Sequence, residues 1–548
     1  MGAQDPTLAA PEAETIESVE MGRAAHRAGA GHTGTVQLLD DTNGSVVLIP
    51  TPSPDPKDPL NLPSWRKFMI ILIIGIYSAF AVATTSGLGA VYPTVMATYP
   101  GQETQATDLL TYPTLFMGIG NLFSMPLCVA VGRRPVFLAS MILLVVSGIW
   151  CACSTSLSSH IAGRDVFSMA AGQSEALAPM IVQEIHFLHE RGSKVAWFVG
   201  VQTVGTAAFF VATVYIVPSL GLGWWYGIIT IVNGIVLILA FFFVVETKFD
   251  RPQDATEGRV HLHLDENGNP SNKGEELIFR VTTRQNHVLQ PEKFGPRTWR
   301  DDWKIFHCKP DWWACASFYK DAALGLTLPT MLWMVLLNGA FLGVYVYQAS
   351  TFAQILMSPP FLFKSDWLGF VQLVQILDCV IMVPLLGYGS DKVVKLMSRW
   401  HKGVYEPEYR LIVLAIPAVA VVISCVLYGQ GAQFPNLWNW MTIVAPYHMG
   451  YFAFLGANLV GITYAVDSFP DRAGPLLLLI CAGRGFISFG LSYSTVPLIS
   501  LTGYNGAMNV FAIICGILCI LGVPAYFFGG AVRRWATRRF WKPVEDGI

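Results

Sequence analysis

Long, almost uninterrupted apolar runs separated by short polar connections make up most of this chain. Twelve runs are long enough to cross about 30 Å of hydrocarbon at 1.5 Å per residue. They fall near 68–96, 109–131, 135–155, 161–185, 195–217, 223–245, 325–355, 367–388, 411–429, 438–465, 473–497 and 507–529. The pattern predicts an all-α membrane protein of twelve transmembrane helices, six before and six after a polar stretch at 247–322. Residues 1–64 are rich in Pro, Gly and acidic residues without apolar periodicity, and are expected to be a disordered tail. The first strongly apolar run starts at Phe68 and is too long for a signal peptide. The end of the polar stretch interleaves Trp299, Trp303, Phe306, Trp312 and Trp313 with charges, which predicts a helix lying in the interface or a linker packed on the bundle. The expected division is therefore a tail to 64, a half at 65–246, a linker at 247–322, a half at 323–530 and a tail at 531–548.

Composition agrees with this reading. The chain has 548 residues, 53% hydrophobic and 13% charged, against about 25% charged in soluble proteins. A formal net charge of -2 gives no reason to expect a nucleic-acid partner. The ten cysteines are scattered and suggest neither a disulfide framework nor a metal site. Lys and Arg divide sharply between the two sets of connections. One side holds Arg66, Lys67, Arg133, Arg134, Arg191, Lys194, Lys248, Arg251, Lys392, Lys395, Arg399, Lys402, Arg472, Arg533, Arg534, Arg538 and Arg539, and the other only Lys364. The positive-inside rule then places both termini in the cytoplasm. The triplet Asn43-Gly44-Ser45 falls on that inner side, where glycosylation is not expected.

A basic turn repeats after the second span of each half: VAVGRRPVF with Gly132, Arg133 and Arg134, and GYGSDKVVK with Gly387, Asp391 and Lys392. With six plus six spans and a long inner linker, this resembles the major facilitator superfamily. The phrases HFLHERG, GWWYGI, VETKFDR and EPEYRL, with PLCVAVGRRPV after the second span, resemble the fungal branch of its twelve-span drug:proton antiporters. The likeness runs from Pro56 to about Phe528. Two departures stand out. Val129 replaces the acidic residue of the first basic turn, and the fifth span GVQTVGTAAFFVATVYIV lacks the antiporter signature of a Gly-Pro pair followed by a Gly-Gly pair. The resemblance implies two pseudo-symmetric halves that rock about a midplane site. It also implies a latch on the inner side in which Asp391 holds helix ends and arginines. Arg133 and Arg134 would bind helix ends or the acidic groups Glu246 and Glu408.

Few charges interrupt the runs. Glu175 lies mid-way along the fourth span, Asp378 along the eighth and Arg484 along the eleventh, with Arg164 nearer the outer end of the fourth. A charge in hydrocarbon costs on the order of 3 kcal/mol by insertion scales, so such residues mark function or pairing. Glu175 and Asp378 are candidates to take a proton or a cationic solute in a water-filled cavity, and Arg484 is expected to neutralise one of them. The alternative is that these charges pair only to fix packing. On a straight fourth span, Arg164 and Glu175 would share a side about 16 Å apart. Polar stripes add Tyr77 and Thr84 in the first span, Asn338, Tyr345 and Gln348 in the seventh, Gln372 and Gln375 in the eighth, and Tyr447, Tyr451 and Asn458 in the tenth. Each stripe alone suits helix–helix hydrogen bonding. That polar residues fall in the first, fourth, seventh and tenth spans implies cavity lining through the resemblance.

These features point to a secondary transporter for a small organic solute: a drug, a secondary metabolite or an organic cation. Proton-coupled efflux by a monomer in the plasma membrane is the leading expectation. Uptake of an organic cation such as a polyamine by proton symport is the alternative. A transporter-like receptor is a third class; the short stretch after the twelfth span speaks against it. No His-Glu-x-x-His, Gly-x-Ser-x-Gly or P-loop pattern occurs, so neither an enzyme nor a cofactor is expected.

Overall fold

The computed structural model describes residues 35–39, 45–91, 95, 98–106, 108–251, 255, 258, 260–264, 275–279, 281–282, 289–307 and 309–540. The glycosylation-like Asn43 and the last eight residues lie outside them. Among the described residues, eleven helices are long and apolar enough to cross a bilayer. The remaining crossing, fourth in order, is broken. It consists of a helix Leu157–Ala171, a 3₁₀ turn Gly172–Ser174 and a second helix Leu177–Glu184. The first half also contains Ser64–Ser86, Asp108–Val131, Arg133–Ala152, Arg191–Leu220 and Leu222–Phe243. The second half contains Pro329–Met357, then Ser365–Met382 continued through a π-helical turn Val383–Tyr388 into Gly389–Trp400. The ninth span is Pro407–Gln433 and the tenth Met441–Ser468. The last two spans run as one helical stretch Ala473–Ile520, interrupted at Gly503 with φ 71°, and on to Gly522–Arg539. The twelfth helix thus extends nine residues into the expected 531–548 tail.

Prolines shape these helices in a specific way. A proline has no N–H, so the carbonyl four residues before it loses its helical donor. Pro113 frees the carbonyl of Leu109, which accepts from Arg164 Nε at 2.7 Å. Pro126 frees that of Leu122, which accepts from the Tyr319 hydroxyl at 2.7 Å. Pro179 frees that of Glu175, which accepts from the Cys481 thiol at 3.1 Å. Each orphaned acceptor becomes a tie to another element. The break in the fourth span also answers to crowding. A Cβ on Gly172 would stand 2.6 Å from the Met117 carbonyl oxygen of the second span, and one on Gly120 2.1 Å from that of Met169.

The expected disordered tail needs correction for its described part. Val36–Gln37 pairs antiparallel with Val404–Tyr405, and Leu38, Val47 and Ile49 are buried against Leu188, Val394, Tyr405 and Tyr409. The chain stays because these apolar side chains cap a hydrophobic hollow on the basic face of the bundle. The linker also carries more structure than expected. Val260–Leu264 and Glu275–Phe279 form an antiparallel hairpin. The helix Trp312–Leu326 rests on the second span through Tyr319 and Cys315. Trp312 and Trp313 remain 63% and 81% exposed, which fits an interfacial position.

Candidate functional site

The break in the fourth span puts Glu175 outside regular helix, and its carboxylate meets Arg484 of the eleventh span at 2.5 Å. The pair therefore joins the two halves. Arg484 is fully buried and has two further partners in its own half. Its Nη1 donates to Asn458 Oδ1 at 2.5 Å, and its guanidinium lies 5.4 Å from the centroid of the Phe454 ring. Among the described residues, Arg484 is the only side-chain partner of the Glu175 carboxylate.

Phe454 connects this pair to an aromatic and amide cluster. It stacks on Tyr345 at 6.2 Å, and Tyr345 lies 5.7 Å from Tyr447 and 4.8 Å from Tyr451. The Tyr447 hydroxyl donates to Gln372 Oε1 at 3.1 Å and accepts from Gln375 Nε2 at 3.3 Å. Tyr451 meets Thr203 of the fifth span at 3.2 Å, a second link between halves. Glu175, Arg484, Asn458, Tyr345, Gln375, Tyr447 and Tyr451 are thus brought together as one continuous polar and aromatic wall.

Other candidates are placed elsewhere. Arg164 shares no face with Glu175, because the 3₁₀ break ends the helix that the 16 Å spacing assumed. It donates instead to the carbonyls of Leu109 and Thr85 and to the Tyr226 hydroxyl, all within the first half. Tyr77 donates to the Ala170 carbonyl at 3.0 Å, and Thr84 to its own helix at Phe80. Asn338 donates to Met334 of its own helix and faces Gly461, while Gln348 donates to Ser424 at 2.9 Å. These are buried packing contacts. Asp378 sits three residues beyond Gln375 but turns away from Tyr447. It pairs with His448 of the tenth span at 2.9 Å, at the base of a groove between spans eight, nine and ten.

On the basic face, Asp391 accepts from the backbone N–H groups of Gly192 at 3.1 Å and Ser193 at 2.8 Å, the first turn of the fifth span in the other half. A carboxylate there completes unpaired donors and meets the positive end of the helix dipole. Gly387 permits the approach, since a Cβ there would lie 2.5 Å from Ala196 Cβ. Around it, Asp467 takes Arg191 of the first half at 2.7 Å and Arg410 of the second at 2.5 Å, with the Tyr405 hydroxyl at 2.7 Å. Arg410 also reaches the Leu188 carbonyl at 3.2 Å. Lys392 is exposed. The first basic turn stays within its own half and the linker. Gly132, at φ 120°, lets Glu246 receive the N–H groups of Arg133 and Arg134, rather than their guanidinium groups. Arg133 pairs with Glu184 at 2.8 Å, and Arg134 donates to the carbonyls of Phe241, Lys304 and Asp302. Glu408 pairs with Arg533 at 3.0 Å, not with the first basic turn.

His448, Asp467, Arg410 and Glu184 are partners that the sequence pattern does not single out. Arg410 lies within EPEYRL, and Asp467 at the basic end of the tenth span, but nothing in one dimension shows that they meet. Among the described residues there is no group of three His, Cys, Asp or Glu side chains suited to a metal ion.

Comparison with known proteins fits this geometry. Residues 73–475 match the model of the Major Facilitator Superfamily. Protein HOL1 of Saccharomyces cerevisiae is 23% identical, over 93% of this chain and 94% of its own length. Efflux pump radE of Floropilus chiversii is 21% identical, over 82% of this chain and 77% of its own. The solved proton:xylose symporter XylE shares the fold, with a TM-score of 0.53 at 14% identity over 88% of this chain and 97% of its own.

Proposed function

The chain belongs to the Major Facilitator Superfamily, a multi-pass secondary transporter, and we propose that it exports a small cationic organic solute in exchange for protons by alternating access. The observation that supports this is the Glu175–Arg484 pair across the two halves, its guanidinium buried and its carboxylate 18% exposed. For the halves to separate, this pair must open. Arg484 then keeps Asn458 and Phe454 in its own half, whereas Glu175 keeps no side-chain partner among the described residues. A half-buried carboxylate left unpaired among apolar helices is costly. A proton or a cationic solute neutralises it equally well, so the two compete for one site and are exchanged. Efflux rather than uptake accords with the printed name of the relative radE, an efflux pump. Under this reading the basic face is cytoplasmic, and the Asp391 and Asp467 latches close the site on that side.

Reconstitution in liposomes with an imposed pH gradient tests the proposal. A fluorescent organic cation should move against the proton gradient, and Glu175→Gln should lose gradient-driven movement while keeping downhill exchange. Accumulation along the proton gradient would establish symport instead, and undiminished gradient-driven transport by Glu175→Gln would remove the proposed role of that residue.

A further inference from the structure

The Asp378–His448 pair stands apart from the central wall. It lies at the base of a groove of about 770 Å³ running along spans eight, nine and ten, within the range of about 300–1,000 Å³ that holds drug-sized ligands. The walls are apolar and aromatic: Trp367, Phe370, Trp440 and Phe452 among them. Trp367 and Phe370 are 60% and 57% exposed on the outer surface of the bundle, so the groove opens toward lipid.

The pair's hydrogen bonds constrain its protons. His448 Nδ1 faces Asp378 Oδ2 at 2.9 Å, and Nε2 faces the Val371 carbonyl at 3.1 Å. Both partners accept, so Nε2 carries a proton toward Val371, and one more proton is shared between Nδ1 and Oδ2. With that proton, the pair is neutral overall. Without it, Asp378 is a carboxylate beside a neutral ring, a single negative charge at the base of an aromatic groove. No charged side chain of the ninth span lines the groove among the described residues. The nearby titratable groups are Tyr447, Tyr451 and Cys379.

We propose that this groove is a second binding site, entered from the bilayer, for a lipophilic monovalent organic cation. The aromatic walls receive the apolar body and the face of the charge, and Asp378 balances it. One cation bound releases the shared proton to bulk water, so the net charge of the site stays at zero. A phospholipid acyl chain would fill the same groove but would leave the shared proton in place.

The test uses tetraphenylphosphonium and the full chain in phosphatidylcholine nanodiscs. Wild type should bind it saturably and release about one proton per cation, read by an indicator dye in weak buffer. Asp378→Asn should weaken binding at least tenfold. His448→Gln should keep binding, which separates loss of the charge from loss of fold. The proposal rests on the transport reading only for the fate of the bound cation, and Glu175→Gln distinguishes the two. That variant should lose gradient-driven transport yet keep the component of tetraphenylphosphonium binding that Asp378→Asn removes. Unchanged binding in Asp378→Asn, loss of binding in Glu175→Gln alone, equal binding of tetraphenylborate, or no saturable binding at all would each overturn it.

Discussion

At the level of single residues, the buried charges differ in how they are satisfied. Glu175 depends on one partner from the other half, while Arg164 has three acceptors, two of them backbone carbonyls. Removing one member of a buried pair costs about 3–5 kcal/mol, because the other charge is left uncompensated. Arg484→Met should therefore lower the melting temperature more than the double variant Glu175→Gln/Arg484→Met does. Thermal unfolding in detergent gives the comparison, and equal losses would mean that the two groups do not support each other in the closed state. Arg164→Lys tests a different role. Lysine cannot reproduce the planar fork that meets Leu109, Thr85 and Tyr226 together. Hydrogen bonds to charged groups are worth about 1.5–3 kcal/mol each. The variant should melt lower while the folded fraction transports with unchanged KM. A change in KM at full stability would bring Arg164 back into the solute site.

At the level of elements, the fourth span is the informative one. Its break depends on Gly172 and Pro179, and the freed Glu175 carbonyl is held by Cys481. Pro179→Ala restores a donor to that carbonyl and favours continuous helix, which rotates Glu175 away from Arg484. Gradient-driven transport should fall severalfold without loss of fold, followed in the liposome assay beside circular dichroism. Full activity in Pro179→Ala would show that the break is incidental. The fifth span offers a second test, since Asp391 caps its first turn from the opposite half. Loss of such a cap costs about 1 kcal/mol, roughly a fivefold change in a two-state population. Asp391→Asn should raise the labelling rate of a cysteine placed at Ser193 by about that factor. An unchanged rate would show that the basic turn sets topology without latching the halves.

For the whole molecule, the basic face is held by more than charges. The strand Val36–Gln37 lies on Val404–Tyr405 of the second half, and Ile49 accepts from the Leu188 N–H of the first at 2.7 Å. Tyr405 is both a strand residue and the hydroxyl partner of Asp467, so this strap is tied to the ion pairs that Asp467 makes. Leu38→Asp places a charge in the buried hollow and should release the strap. Labelling at Ser193 should then rise in the same direction as in Asp391→Asn, and the two changes together should add less than their sum. Independent, fully additive effects would show that the strap packs without restraining the opening.

Run length, Lys and Arg asymmetry and a repeated motif are one-dimensional properties. They suffice for the bilayer as solvent, the two halves, and the glycines and Asp391 of the second basic turn. Glu175 and Arg484 are equally legible along the chain, because a charge in an apolar run is conspicuous whatever surrounds it. Which charges meet is a matter of packing alone. The fourth span had to be straight for Arg164 to align with Glu175, and a proline and a glycine pressed against the second span broke it. Asp378 and Gln375 share one broad helical face, yet a small rotation sends one to the lipid side and the other to the central wall. The described part of the tail carries too little periodicity to predict order, because its apolar residues are buried by a hollow that other parts of the chain create. Pairing across helices depends on packing angle and register, and no local pattern encodes either.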